Sequence, residues 1–121
     1  MKSCDVNCNC TIFHQDTLDK VQETLYSDTE FDELVTFFKL LQDKSRLKII
    51  EAIKDHELCV CDLAFLCGVS KSAISHQMKL LKSYDIVSST KKGKMVYYRL
   101  KDQEVRAFIN HSYNQTRGLN T

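Results

Sequence analysis

The chain has 121 residues, 43% of them hydrophobic, which is enough for one small core and too little for two ordinary domains. It contains no run of about 18 apolar residues for a membrane span, and its first residues, MKSCDVNCNC, lack the apolar stretch of a secretory signal, so a cytoplasmic protein is expected. A formal net charge of +1 argues against a nucleic-acid binder only on average: residues 1–69 hold 7 Lys+Arg against 13 Asp+Glu, whereas residues 70–101 hold eight basic residues against Asp85 alone.

Residues 1–16 are polar, Cys-rich and without a steady period, and are expected to form a flexible arm. From Thr17, Leu18, Val21 and Leu25 fall at helical spacing and predict a short helix. Thr29 is the expected N-cap of a second helix, FDELVTFFKLL, which is apolar over much of its circumference. Such a helix needs burial on more than one side, and a partner subunit is one way to supply it. Asp43 is placed to cap a third helix with Leu47, Ile50 and Ile53 inside and Arg46, Lys48 and Lys54 outside. CVCDLAFLC then predicts a helix ending at Gly68. Ser70 caps the next, with Ala73, Ile74, Met78, Leu81 and Tyr84 on its inner side.

Ile86 to Thr90 and Met95 to Leu100 are rich in β-branched and aromatic residues, and Lys91-Lys92-Gly93-Lys94 joins them as the turn of a β-hairpin. Asp102 caps a last helix with Val105, Phe108, Ile109 and Ser112 on one face, before a polar tail over 115–121. The expected fold is mainly α with a small β-hairpin, a winged helix-turn-helix spanning residues 17–114.

In that arrangement the second helix of the pair enters the DNA major groove and its early residues meet base edges. Ser70, Lys71, Ser72, Ser75 and His76 occupy those turns; Lys79 and Lys82 are assigned to phosphate, and Lys91, Lys92 and Lys94 to flanking backbone or minor groove. Exposed lysines are ordinary, and the order helix, turn, helix, basic hairpin is what favours double-stranded DNA as the partner.

Without export, clustered thiols bind metal or react more often than they form disulfides. Cys59 and Cys61 flank Val60 at a helix start. In mid-helix, positions two apart point about 200° from one another, but at the entrance the first residue is still extended and the two can converge. Two thiolates make half of a tetrahedral site, and the dense supply of further donors is the arm: Cys4, Cys8, Cys10 and His14. Soft ligands select Cd(II), Pb(II), Zn(II), Cu(I) or As(III). Cys67, among Ala64, Phe65 and Val69, is expected in the core, and His111 on a helix surface. With no Gly-rich phosphate loop and no nucleophile beside a placed base, an enzyme is not expected.

The order ELCVCDLA, SKSAISHQMKLLK, KKGKMVYYRL resembles the ArsR/SmtB family of metal-responsive repressors, and within it the cadmium and lead sensors of the CadC type. The likeness runs from about Phe31 to Phe108. It implies a homodimer, joined through Phe31 to Leu41 and the 102–114 helix, that binds an operator without metal and releases it when the ion binds, derepressing a resistance gene. It further implies that the arm donates thiolates to the CVC pair across the dimer. Cys10-Thr-Ile-Phe-His14 resembles the arm motif with Cys at both ends, the second position here being His. The favoured metal set is Cys8, Cys10, Cys59 and Cys61, with Cys4 and His14 in reserve, and Cd(II), Pb(II) or Zn(II) as inducer. A second zinc site of some relatives is expected to be absent, because Asp102 and Glu104 lack the accompanying His and Glu pair. Arsenite-sensing relatives carry a further cysteine where Ala64 stands. Rival readings are an arsenite-responsive repressor and a thiol redox switch on the same scaffold.

Overall fold

The computed structural model describes residues 14–119, and the chain divides into two units, residues 1–37 and 38–121. Cys4, Cys8 and Cys10 lie outside the described residues. The elements are α1 (Gln15–Thr24), α2 (Asp28–Leu41), α3 (Lys44–Ala52), β1 (Leu58–Cys59), α4 (Val60–Cys67), α5 (Lys71–Ser83), β2 (Val87–Lys92), β3 (Met95–Leu100) and α6 (Gln103–Leu119).

In the first unit α1 begins two residues before the expected Thr17, and none of its residues is buried. The cap of α2 is Ser27 rather than Thr29. The Ser27 hydroxyl accepts from the Glu30 N–H at 3.1 Å while Glu30 accepts from the Ser27 N–H at 2.9 Å, a reciprocal capping box that Thr29, inside the first turn, has no geometry to make. Hydrogen bonding from the Ser27 backbone N–H, and then from the Ser27 side chain, holds the Glu30 carboxyl below the usual carboxylate range. Tyr26 packs edge-on against Phe31. Leu18, Val21, Leu25, Tyr26, Leu34 and Val35 remain exposed.

The second unit holds the core. Ile49, Ile50 and Ile53 of the α3 region, Leu63 of α4, Ile74, Met78 and Leu81 of α5, and Ile86 and Val87 at the entry to β2 are almost fully buried. On α3 the inner position expected for Leu47 belongs to Ile49, and Leu47 stays 37% exposed. Asp43 caps this helix as expected, accepting from the Arg46 N–H at 3.0 Å. Arg46 itself, expected outside, is half-buried: its guanidinium donates to Gln77 Oε1 at 2.7 Å and to the Leu40 carbonyl at 3.1 Å. It thereby ties the end of α2 and the start of α3 to α5, using the fixed fork of donors that distinguishes Arg from Lys.

Between α4 and α5, Gly68 takes φ +67° and its N–H donates to the Ala64 carbonyl, a left-handed helix terminus that disfavours any residue with a Cβ. Ser70 then caps α5 by accepting from the Ala73 N–H at 3.1 Å. Two helices joined by this short turn, followed by the β2–β3 hairpin, form the expected winged helix-turn-helix. Ala73 and Tyr84, expected on the inner side of α5, are both exposed; the buried stripe is Ile74, Met78 and Leu81. At the other end Asp85 adopts φ +60°, a left-handed conformation that Asp tolerates, and turns the chain into β2.

The hairpin closes through Gly93 at φ +64°, suited to the first central position of a two-residue loop. The sheet has one strand more than expected: its order is β1-β3-β2, all antiparallel, with Leu58 opposite Tyr98 and Cys59 opposite Tyr97. Asp102 caps α6, accepting from the Glu104 and Val105 N–H groups. Of the expected α6 face only Val105 is buried; Ile109 is half-buried, Ser112 is exposed, and Phe108, 44% exposed, stacks on Phe38 with ring centroids 6.0 Å apart. The helix continues to Leu119, so residues 115–119, expected in the polar tail, are helical, with Thr116 bonded to the Tyr113 carbonyl.

Replacing Gly68 by Ala is expected to lower the unfolding free energy by about 1–2 kcal/mol, and Ser70→Ala by about 1 kcal/mol, both read from urea denaturation midpoints at unchanged m-value.

Candidate thiol centre and nucleic-acid interface

The CVC pair straddles the junction of β1 and α4. Cys59 is the last residue of β1 and the N-cap of α4, with an extended backbone at ψ 172°, so the chain enters the helix between the two thiols. Cys59 is buried and Cys61 is exposed. The Asp62 carboxylate accepts from both the backbone N–H and the thiol of Cys59, each at 3.2 Å. One side chain thus caps the helix and holds the sulfur. Among the described residues no three His, Cys, Asp or Glu side chains are grouped so as to hold a metal ion. Cys67, expected in the core, is half-buried, and its neighbours are more open than anticipated, Phe65 being 86% exposed. His14 stands exposed at the entrance of α1.

The basic residues fall on two surfaces of the second unit. On α5, Ser70, Lys71, Ser72, His76, Lys79 and Lys82 are exposed, whereas Ser75 is half-buried. The Lys82 ammonium donates to Ser89 Oγ at 2.9 Å and fastens the helix to β2. On the hairpin, Lys91, Lys92 and Lys94 are exposed. Strand alternation sends Lys91 and Lys92 to opposite sheet faces. Lys92 alone of the three is engaged by an acid among the described residues: its ammonium lies 2.8 Å from Glu57 Oε2 and 5.3 Å from the Tyr97 ring centroid. The Lys92 ammonium holds the Glu57 carboxyl below the usual carboxylate range, and Glu57 in turn raises Lys92. Arg99, on β3, donates to Ser88 Oγ at 3.0 Å and adds to the basic surface.

The family model described as bacterial regulatory protein, arsR family, matches residues 43–89. The chain is 39% identical over 98 residues to a transcriptional repressor SmtB homolog of Synechocystis sp., covering 81% of this chain and 74% of that protein. The chain belongs to the arsR family of bacterial regulatory proteins. It is also 36% identical over 99 residues to the cadmium resistance transcriptional regulatory protein CadC of Listeria innocua, covering 81% of this chain and 82% of that one. Among solved structures, the homodimeric winged helix-turn-helix DNA-binding domain from Mycobacterium bovis superposes with a TM-score of 0.65 at 25% identity, over 79% of this chain and 93% of that one.

The arsR-family match runs from the cap of α3 into β2 and so contains the CVC pair and all of α5. Within it, Asp62 contacts the Cys59 thiol and is omitted from the sequence expectations, although an acid three residues after a candidate cap is a capping-box signal. Glu57 is a second omission, because its partner lies 35 residues away, beyond any local pattern. In the arsR-family chain as it stands, Cys61 is expected to react with a neutral alkylating reagent at least about tenfold faster than Cys59, which is buried and hydrogen-bonded. Peptide mass mapping after timed quenching measures both rates in one experiment.

Proposed function

We propose that this chain is a metal-sensing transcriptional repressor whose metal-free homodimer binds operator DNA and releases it on binding a thiophilic ion, Cd(II) or Pb(II) first and Zn(II) next. The observation that carries this is the joining of two chemistries in one segment. A thiol pair sits at the head of the helix-turn-helix, and the exposed basic surface of α5 and the hairpin follows it. The segregated charge, eight basic residues against one acid over 70–101, matches phosphate rather than an acidic protein patch, because it follows one helix and the adjoining wing. Lys71, Ser72 and His76 are the residues proposed to meet bases, with Ser70 and Ser75 beside them. Lys79, Lys82, Lys91, Lys92 and Lys94 are proposed to meet phosphate.

Cys59 and Cys61 fit a thiophilic ion in chemistry, being two soft donors within one turn of each other. The proposed completing donors are Cys8 and Cys10, with Cys4 and His14 in reserve. The likeness to a cadmium resistance regulatory protein supports the choice of ion. The homodimer is supported by the exposed Leu34, Val35 and Phe38 of α2 and Phe108 and Tyr113 of α6, and by the homodimeric M. bovis domain. Apolar residues that crowd on these two helices are the kind that subunit contact removes from water.

The test uses a duplex selected by the full chain from a random pool, followed by fluorescence anisotropy in chelator and then with each ion. Cd(II) or Pb(II) is expected to weaken binding at least about tenfold in the wild type, equivalent to about 1.4 kcal/mol of coupling. Cys61→Ser is expected to bind the duplex normally and to lose that response. Normal release by Cys61→Ser, or release by arsenite or peroxide but not by Cd(II) or Pb(II), would contradict the proposal. Lys79→Gln and Lys94→Gln are each expected to flatten the slope of log affinity against log salt by about 0.9 for every phosphate left without its lysine.

A further inference from the structure

Of the three wing lysines that the sequence assigns to DNA, Lys92 is already held by an acid of the same protein. Glu57 immediately precedes β1, and β1 pairs with β3 so that Cys59 stands opposite Tyr97. Tyr97 in turn stands opposite Thr90 of β2. Side chains alternate along a strand, so Glu57, Cys59, Tyr97, Thr90 and Lys92 all belong to one face of the sheet. On that face the Lys92 ammonium bridges Glu57 Oε2 at 2.8 Å and the Tyr97 ring at 5.3 Å. Lys91 and Lys94, also exposed on the hairpin, form no ion pair among the described residues.

Resting on the proposed repressor function, we propose that Glu57 is a positioning residue for the DNA interface: its carboxylate competes with DNA phosphate for Lys92 and so holds down the affinity of the wing for the duplex backbone. The geometry makes the competition direct, because a phosphate oxygen and the Glu57 carboxylate are alternative acceptors for one ammonium. Both side chains of the pair are open to solvent, so it is a weak contact that salt screens, and a phosphate can displace it. A phosphate contact carries no base information, so Glu57 is assigned to affinity and not to sequence choice.

The experiment is a double-mutant cycle on the full chain in chelator: wild type, Glu57→Gln, Lys92→Gln and the double variant. Each is titrated against the selected duplex and against a scrambled duplex of equal length between about 50 and 200 mM salt, the range over which phosphate contacts show their salt dependence. Glu57→Gln is expected to bind both duplexes more tightly by the same factor, about threefold per wing at the low-salt end, with a steeper salt dependence, because salt screens the Glu57–Lys92 pair that opposes binding in the wild type. In the Lys92→Gln background the same substitution is expected to change neither affinity nor slope. Weaker binding by Glu57→Gln, an unchanged slope, or an equal gain with and without Lys92 would each overturn the proposal. If the wild type retarded no duplex at all, the repressor reading itself would fail, an outcome distinct from a wild type that binds and a Glu57→Gln variant that matches it.

Discussion

Two backbone pairings, Leu58 with Tyr98 and Cys59 with Tyr97, join the thiol-bearing segment to the wing, and the functional arrangement depends on them. Without β1, Cys59 would sit on a loop between α3 and α4. With it, Cys59 is at once a strand residue, a helix cap and a sulfur held by Asp62. The next residues enter α4, whose packing on α5 and on α3 fixes the helix that carries Ser72, His76 and Lys79. A displacement at Cys59 therefore has short covalent and hydrogen-bonded routes to both proposed DNA-contacting elements. One runs through β3 into the hairpin, the other through α4 into α5.

The electrostatics of the second unit follow the same division. Of the acidic residues before α5, Glu57 meets the basic surface among the described residues, pairing with Lys92 on the wing. Arg106 with Asp55 and Lys54 with Glu51 draw their charges from α6 and the α3 region, away from α5 and the β2–β3 turn. Lys79, Lys91 and Lys94 are left exposed. Like charges along one helix and one hairpin repel one another, and the proposed DNA contact would relieve that repulsion.

Much of this is legible in the sequence where one local rule acts alone. Asp43, Ser70, Gly68 and Asp102 each signal a helix end through a side chain or the lack of one, and each stands where it is expected. The hairpin is legible from β-branched strands around Gly93. The departures have a common cause in partners distant along the chain. Leu58–Cys59 is too short to show alternation and exists as a strand because β3 offers it an edge. Arg46 is expected outside because it is charged, and it is drawn in by Gln77 and the Leu40 carbonyl. Thr29 yields to Ser27 because Glu30 lies at the distance that rewards Ser27. At the CVC pair, the helix entrance between Cys59 and Cys61 is legible from their spacing. Asp62 does not stand out beside them, because an acid in a first turn is ordinary helix chemistry.

Ion binding at the CVC pair and DNA binding are proposed to oppose one another, and reciprocity gives that opposition a direct measure. The Cd(II) affinity of the free full-length chain is compared with that of the chain saturated with its selected duplex, using a chelator of known affinity as competitor. DNA is predicted to weaken Cd(II) binding by the same factor by which Cd(II) weakens DNA binding. Equal Cd(II) affinity with and without DNA would contradict it.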